Sequence, residues 1–255
     1  MKKVIALFIL LATTSIAQAQ NVFQSGEYFK FKIAYGIFNA GYATLELNET
    51  THDGKKVFHA KGFGETTGIT KAFFRVRDDY QSYFDVRTGQ PYRSIRDIYE
   101  GGYTRNQESL FNYSNNTVRV IDHKNSKTST YTINSKIQDV ISAFYYLRNS
   151  SNISNMKKGE SIEIDMFFDD EIYKFKLKFL GKEKIKTKFG EQTALKFRPY
   201  VQAGRVFKEK ESLTIWVSDD KNIVPLRVEA SLLVGSLRAE LIEHKGLKHK
   251  LGRND

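Results

Sequence analysis

The sequence predicts a mainly β protein, in which one large, strongly curved antiparallel sheet, a half-barrel, is covered on its concave face by one amphipathic helix. Short segments that alternate apolar and polar residues recur about every ten residues between turn residues, a spacing typical of sandwiches and barrel-like sheets. Residues 135–148 depart from this alternation, because their apolar positions follow the spacing of a helix. A single helix among many strands must bury its apolar side against a sheet.

The N-terminal residues have the features of a secretory signal peptide. Two lysines precede an apolar run over residues 4–12, and the small-residue site Ala17-Gln18-Ala19 follows. The apolar run is too short to span a bilayer. We therefore expect three parts: a signal peptide over residues 1–19, a single β-rich domain over 20–244 and a flexible basic tail over 245–255.

The composition restricts the compartment and the partners. The chain has no cysteine, which excludes the lipid-attachment site of a lipoprotein, disulfides and a thiolate zinc site. With the signal peptide, this predicts a protein of the periplasm or cell envelope of a Gram-negative bacterium that is not a lipoprotein. The net charge of +11 favours anionic partners. We expect a lipid or lipoprotein acyl chain, or an anionic membrane surface, as the partner, with no nucleic acid and no cofactor; the oligomeric state is not predicted.

The first half of the chain predicts a series of antiparallel strands. The first is Glu27–Tyr35, and a glycine-bounded turn leads to its hairpin partner through Ala43, Leu45 and Leu47. Further strands are predicted at 57–64, 79–86, 92–99, 103–113, 117–122 and 129–133. Residues 66–74 read T-T-G-I-T-K-A-F-F, which predicts one helical turn that carries inward the side chains of Ile69, Phe73 and Phe74.

The helix and a second run of strands complete the chain. Ser135 and Gln138 form a capping-box signature, so the helix is predicted to begin at Ser135. The later strands are predicted at 161–168, 173–180, 184–189, 193–199, 212–217, 225–233 and 237–243. The helix either divides two sheets or covers the concave face of one. A sheet of about a dozen antiparallel strands curls, which favours the second arrangement.

Aromatic residues recur on the side of the strands that is predicted to face inward. Dense packing is their usual role, but a curved sheet closed by one helix can also enclose an acyl chain. We expect a ligand between this face and the helix, in contact with Phe29, Phe31, Phe144, Tyr145, Phe175, Phe179 and Trp216.

Three lysines alternate with apolar residues along one predicted strand, so they share its polar face: Lys174, Lys176 and Lys178. This pattern has two interpretations. The lysines form a contact surface for anionic lipid or glycan, or they form a solubilising outer face that also protects the sheet edge.

Candidate catalytic residues are few. The histidines are scattered, and the sequence has no H-E-x-x-H, Walker A or G-x-S-x-G motif, so we assign no catalytic and no metal-binding residue. Asp78 and Asp79 lie beside two arginines, with Asp85 further along the predicted strand. A buried network of arginine and aspartate explains this grouping, and an acidic site for glycan binding or hydrolysis is the alternative.

Five stretches, in this order along the chain, resemble the exported bacterial family known as domain of unknown function 3108. They are G-E-Y-F-K-F-K-I-A-Y-G-I-F-N-A-G (26–41), F-F-R-V-R-D-D-Y (73–80), Q-D-V-I-S-A-F-Y-Y-L-R (138–148), T-K-F-G (187–190) and I-W-V-S-D-D-K-N-I-V-P-L-R-V (215–228). The resemblance implies an architecture similar to the LolA and LolB carriers, an eleven-stranded half-barrel that takes lipoprotein acyl chains. It implies no catalytic residue.

Together, these patterns predict an exported, non-enzymatic cell-envelope protein that binds or carries a lipid or amphiphile in a half-barrel. Two alternatives stay open: a glycan-binding module or hydrolase that uses Asp78, Asp79 and Asp85, and a purely structural interaction protein.

Overall fold

The computed structural model describes residues 21–150, 153–201, 213–233 and 235–252. The signal peptide predicted at residues 1–19 lies outside these ranges. Within them, the strands are β1 Glu27–Tyr35, β2 Phe38–His52, β3 Lys55–Thr66, β4 Val76–Asp85, β5 Pro91–Glu100, β6 Tyr103–Asn112, β7 Thr117–Asp122, β8 Lys127–Thr132, β9 Ser161–Phe168, β10 Glu171–Thr187, β11 Gly190–Val201, β12 Leu213–Ser218, β13 Pro225–Ser231 and β14 Ser236–Lys245. The helices are α1 Gly68–Phe73 and α2 Val140–Arg148, followed by a 3₁₀ turn at Ile153–Asn155.

The described strands form one antiparallel sheet of fourteen strands, in the order β8-β7-β6-β5-β4-β3-β2-β1-β14-β13-β12-β11-β10-β9. Strand β1 pairs with both β2 and β14, which places the first and the last described strands side by side in the middle of the sheet. The segment that contains α2 connects β8 to β9, the two end strands. The predicted fold class, a mainly β protein with one large open antiparallel sheet, is confirmed.

Helix α2 begins later than the sequence pattern predicted. The capping box is formed by Asp139 and Ser142: the Asp139 carboxylate accepts hydrogen bonds from the N–H groups of Ile141 and Ser142, each at 2.8 Å. The start predicted at Ser135 is wrong because Gln138 pairs with the edge strand β9 instead. The N–H of Gln138 donates to the Asp165 carbonyl at 2.9 Å, and its carbonyl accepts from a β9 N–H.

Helix α2 packs on what we call the inner face of the sheet, as predicted. Leu147 lies in a cluster with side chains of β10 and β11, including Phe179 and Phe197. Tyr145 lies in a second cluster, with β3 and β4 side chains that include Phe58 and Phe84. The helix therefore joins the apolar surfaces of the two halves of the sheet. None of the helices in the described ranges is long and apolar enough to cross a bilayer.

Helix α1 forms where one helical turn was predicted, but its apolar side chains do not point inward. No residue of α1 is buried, and Ile69, Phe73 and the following Phe74 are all exposed. The reason is topological: α1 connects the ends of β3 and β4, beyond the last paired residues of the sheet, so no core lies beneath it.

Strand β10 is one strand of 17 residues, where the sequence predicted two separate strands. The predicted break is a β-bulge, because the pairing with β11 shifts register between Phe179 and Gly181. The extra residue reverses the alternation of the two faces. Ile185 accordingly packs in a different cluster from Phe179, together with Trp216.

Within the tail predicted at 245–255, residues 246–252 lie against the sheet, and residues 253–255 lie outside the described ranges. The N–H of His249 donates to the Asn222 side chain at 2.9 Å, and the N–H of Gly252 donates to the Asp220 carboxylate at 2.7 Å. Leu247 and Leu251 pack on the cluster that contains Trp216. The polar and apolar contacts together hold this segment to the turn between β12 and β13.

A buried ion pair holds the C-terminal end of α2. Arg148 and Glu27 are only 3% and 1% exposed. The guanidinium donates hydrogen bonds to both oxygens of the Glu27 carboxylate, at 2.8 Å for one of them. The same guanidinium donates to the Asn222 carbonyl at 2.8 and 3.1 Å. It also lies 5.3–5.6 Å from four aromatic ring centroids. One side chain therefore connects α2, the start of β1 and the β12–β13 turn.

We predict that Arg148→Ala lowers the free energy of unfolding by about 3–5 kcal/mol, because it leaves the Glu27 carboxylate buried without a partner. Urea denaturation followed by circular dichroism measures this loss. Arg238→Ala is the matched control, since Arg238 and its partner Glu229 are partly exposed, and we expect a loss of about 1 kcal/mol or less. Equal, small losses in both variants would contradict the prediction.

Candidate functional site

The space between α2 and the sheet is filled by the aromatic residues that the sequence proposed as ligand contacts. Phe29, Tyr145 and Phe179 are buried. Phe31, Phe144 and Phe175 are partly buried and pack against the same clusters. They belong to three apolar clusters, each of which includes side chains of α2, so they form part of the core of the protein.

A cavity of about 30 Å³ lies against the N-terminal end of α2. This volume holds about one or two water molecules, and it is far smaller than the pockets of roughly 300–1,000 Å³ that hold ligands. Its lining is mixed: polar residues such as Ser94, Arg96 and Asp139 alternate with apolar ones such as Ile141 and Phe167. An acyl chain does not fit in this cavity.

Trp216 lies on the face of the sheet away from α2. Its register partners are Lys196 and Arg227, and both cations lie over its ring, at 5.1 and 5.9 Å from the centroid. Leu195, the neighbour of Lys196 in β11, belongs to the cluster that contacts α2. Because successive side chains of a strand alternate in direction, Trp216 and α2 are on opposite sides.

The three β10 lysines lie on the polar face of the strand, as the alternation predicted. Lys174 and Lys176 are exposed, while Lys178 is half-buried. Lys176 forms an ion pair with Glu163 of β9 at 2.8 Å. This surface is therefore partly neutralised by the neighbouring edge strand.

Asp78, Asp79 and Asp85 do not converge. Asp79 lies on the outer face and forms an ion pair with Lys61 at 3.0 Å. Asp85 is the last residue of β4, at the β4–β5 turn. Burial opposes its ionisation, but the hydrogen bonds from Thr88, Arg87 and Tyr92 together outweigh burial and lower its pKa.

Asp78 is on the inner face, where burial and the neighbouring Glu100 raise its pKa to about 6. Since the three aspartates share no cleft, the acidic site proposed for hydrolysis or glycan binding is not formed. In the described residues, no group of three or more His, Asp or Glu side chains could hold a metal ion.

The inner face of β4, β5 and β6 is polar, unlike the rest of that face. Cross-strand rows run from Tyr80 to Arg96 and Gln107, and from Ser82 to Ser94 and Ser109. Arg105 and Arg96 reach across to Asp169 in the β9–β10 turn, at 2.8 and 3.4 Å. These ion pairs connect strands that are far apart in the order of the sheet, and the buried Nε atoms of both arginines have no protein partner.

Asp139 is the most deeply buried carboxylate of this polar region. Its second oxygen accepts a hydrogen bond from the Ser82 hydroxyl at 2.6 Å, which fixes the N-terminal end of α2 to β4. Burial raises the pKa of Asp139 to about 6, although its hydrogen bonds act in the opposite direction. Each end of α2 is therefore held to the sheet by a buried polar contact.

Several large apolar side chains that are strongly exposed lie at one end of the sheet, and we call this surface the apolar rim. Ile37 is 92% exposed, Phe73 is 85%, Ile69 is 69% and Phe38 is 63%. The rim consists of Ile37, Phe38, Ile69, Phe73, Phe74 and Leu233. The signal that identifies it in the sequence is the presence of large apolar residues in turns, which normally carry polar residues.

Backbone hydrogen bonds make the rim continuous. The N–H of Gly36 in the β1–β2 turn donates to the first residue of β14 at 3.1 Å. The N–H of Thr67, which precedes α1, donates to β2 at 3.0 Å, and the N–H of Gly101 in the β5–β6 turn donates to Arg75 at 2.8 Å. A Cβ atom built on Gly101 would lie 2.2 Å from the Phe74 ring, so only glycine allows this close approach.

A groove of about 380 Å³ lies beside the rim, on the outer face of β4–β6. Its walls are formed by residues of β5 and β6 on either side of the β5–β6 turn, and by Arg75 and Arg77, which follow α1. The lining residues are Arg75, Arg77, Asp97, Ile98, Tyr99, Thr104, Arg105, Asn106 and Lys124. Three of these residues, Arg75, Arg77 and Lys124, are cationic and one is acidic, which makes the groove electropositive; Arg105 alternates to the inner face, where it pairs with Asp169.

The family described as "Protein of unknown function (DUF3108)" matches residues 30–242. Among solved structures, a β-barrel-like protein of the domain of unknown function DUF1849 from Brucella abortus has a TM-score of 0.59 at 9% identity, over 89% of this chain and 100% of the other. This likeness shows a shared fold. A candidate exported protein with a YmcC-like fold from Bacteroides fragilis and a candidate lipoprotein from Parabacteroides distasonis each have a TM-score of 0.32, at 10% and 12% identity, over 89% of this chain and 99% of theirs. No curated protein matches the chain significantly.

We predict that ionisation of Asp139 makes the protein less stable as the pH rises from about 4 to about 7. A carboxyl with a higher pKa in the folded than in the unfolded protein stabilises the fold below its unfolded pKa, and this contribution is lost as the pH passes the folded value. The free energy of unfolding of the wild type minus that of Asp139→Asn should therefore fall across this range, on the order of 3 kcal/mol.

Urea denaturation at several pH values measures this difference. Asp85→Asn is the control of opposite sign, because the pKa of Asp85 is lowered in the folded protein, so its difference should rise with pH. A difference for Asp139→Asn that is flat, or that rises with pH, would show that the burial of this carboxyl does not govern its titration.

Proposed function

This chain belongs to the DUF3108 family of proteins of unknown function, and we propose that it is an exported, non-enzymatic cell-envelope protein that binds lipid at an anionic membrane surface. The family match confirms the resemblance drawn from the five sequence stretches and assigns no activity. The apolar rim carries the proposal. Export rests on the predicted signal peptide.

The rim supports lipid contact because large exposed apolar patches on a folded protein mark surfaces that are covered by a partner. Fully burying a Phe or Ile side chain is worth roughly 1.5–3 kcal/mol. Several such residues at the tips of adjacent turns would enter the interfacial layer of a bilayer together, without any change in the sheet.

Charge complementarity favours an anionic membrane over a protein as the occupant of this surface. Exposed cations flank the apolar side chains, with Lys71 in α1 itself and Arg75 and Arg77 immediately after it. A basic residue near an anionic membrane surface contributes about 1 kcal/mol. Apolar side chains at the tip with cations behind them are typical of proteins that lie at a membrane interface.

The rim replaces the helix–sheet interior as our proposed lipid site. The interior is occupied by the core residues Phe29, Phe144 and Tyr145, so a ligand there would have to displace α2 from its buried contacts with Glu27 and Ser82. The rim needs no such rearrangement.

We predict that the protein co-sediments with phosphatidylglycerol-containing vesicles and that Ile69→Ser/Phe73→Ser weakens this binding at least about tenfold, because two apolar anchors are lost. Tyr146→Ser is the matched control. Tyr146 is an exposed aromatic residue near Gly89, in the β4–β5 turn at the opposite end of the sheet, and its loss should leave binding unchanged.

Changes in salt and in lipid composition separate the apolar contribution of the rim from the electrostatic contribution of the flanking cations. Binding should weaken with added salt and with zwitterionic vesicles, since the cationic flank is then less effective. Binding that is lost equally in Tyr146→Ser and in the rim variant, or no binding to any vesicle, would contradict membrane docking through the rim.

A further inference from the structure

The groove beside the rim has the size and donors of a ligand site. Its volume of about 380 Å³ is within the usual range of small-molecule sites, roughly 300–1,000 Å³. Register places Arg77, Tyr99 and Thr104 in one cross-strand row, and Asp97 and Asn106 in the next. These are outer-face residues, because the alternate residue Ser82 of β4 points inward to Asp139.

The groove cations are only weakly engaged by carboxylates of the protein. Arg77 lies 3.7 Å from Asp97, and both side chains are about half exposed. Arg75 stacks over Tyr99, at 5.4 Å from the ring centroid. The Nζ of Lys124 donates to the hydroxyl and carbonyl oxygens of Thr104.

Two further charged residues, Arg105 and Glu65, lie near the groove. Arg105 alternates to the inner face, where it is paired with Asp169 at 2.8 Å, so its charge does not face the groove. Glu65 is the β3 register partner of Arg77, but it does not line the groove. The remaining donors, from Arg75, Arg77 and Lys124, face one half-exposed carboxylate, Asp97.

We infer that this groove binds a phosphate group, in the setting of the proposed docking the head-group phosphate of an anionic lipid. Arginine presents a planar fork of N–H donors that matches phosphate oxygens, and lysine adds a point charge. A phosphate competes with Asp97 for Arg77, and the neutral donors of Thr104 and Asn106 lie in the rows beside it.

The position of the groove fits a lipid head group. Thr104 and Asn106 lie two and four residues behind Gly102 of the β5–β6 turn, which is about 7–13 Å at 3.3 Å per residue. Proteins that lie at an interface bury their apolar side about 5–10 Å deep. When the rim is buried to that depth, the groove lies at the level of the head-group phosphates of the bilayer. The inference rests on the proposed function for the source of the phosphate, but the groove chemistry is testable without a membrane.

The experiment is a titration of the ¹⁵N-labelled protein with glycerol phosphate in vesicle-free, low-salt buffer, followed by NMR. Glycerol phosphate carries the head-group phosphate and no acyl chain, and glycerol is the ligand control. We expect shifts at Tyr99, Thr104 and Asn106, and saturation with glycerol phosphate only. Arg75→Gln/Arg77→Gln should weaken binding about tenfold, since each exposed ion pair contributes modestly.

Lys55→Gln/Lys56→Gln is the charge-matched control, since both lysines are exposed at the start of β3, next to the β2–β3 turn at the other end of the sheet. It should leave binding unchanged. Shifts spread over unrelated basic surfaces, or equal weakening in both double variants, would overturn the inference as general charge attraction.

Comparing vesicle binding with glycerol phosphate binding shows whether the groove takes a lipid head group or a free phosphate. The same comparison tests the phosphate site separately from membrane docking. Binding of glycerol phosphate in the groove, together with vesicle binding that needs Arg75 and Arg77, supports the lipid head group. Groove binding of glycerol phosphate without vesicle binding supports the phosphate site and overturns membrane docking. Vesicle binding with no shifts from glycerol phosphate overturns the phosphate site and leaves the docking intact.

Discussion

The ion pair between Glu27 and Arg148 is the contact on which the arrangement of the protein depends. A bidentate, fully buried pair is favourable only when its remaining donors are satisfied, and the Asn222 carbonyl accepts from two of them. Four aromatic rings surround the guanidinium and exclude water. Because the three polar residues come from β1, α2 and the β12–β13 turn, the pair defines where the helix ends relative to the middle of the sheet. Three of the stretches that carry the family resemblance, 26–41, 138–148 and 215–228, therefore meet at one point.

The other end of α2 is held by the Asp139–Ser82 hydrogen bond, so the helix is attached at both ends to different strands. Between the attachments, Tyr145 and Leu147 complete two apolar clusters that belong to opposite halves of the sheet. Beneath α2 the described residues form packed apolar clusters, and the cavity near Asp139 holds about one or two water molecules. We therefore propose that lipid binds at the surface. The apolar rim and the electropositive groove beside it are exposed, and neither takes part in the packing of the core.

Much of this fold follows from local sequence patterns, and the rest depends on contacts between distant residues. The bounds of β1, β7 and β9 agree with the alternation, since each of these strands has a buried side. The start of α2 was misplaced because Ser135 and Gln138 satisfy a local capping pattern, whereas pairing of Gln138 with β9 decides the outcome. The Glu27–Arg148 pair spans 121 residues, so no window of sequence contains it. For the site, the sequence predicted anionic lipid as a partner and aromatic residues as its contacts, and both stay predictions. Most of those aromatic residues pack in apolar clusters, and alternation alone cannot distinguish such packing from the lining of a cavity.

Hydrogen–deuterium exchange with and without phosphatidylglycerol vesicles distinguishes lipid binding at the rim from lipid entry beneath α2. We predict that vesicles slow exchange in the segments that contain Ile37, Phe73 and Gly101, while exchange in Val140–Arg148 stays slow and unchanged. Faster exchange in α2 on addition of vesicles, with no protection at the rim, would mean that the helix leaves the sheet to admit lipid and that the rim is not the binding surface.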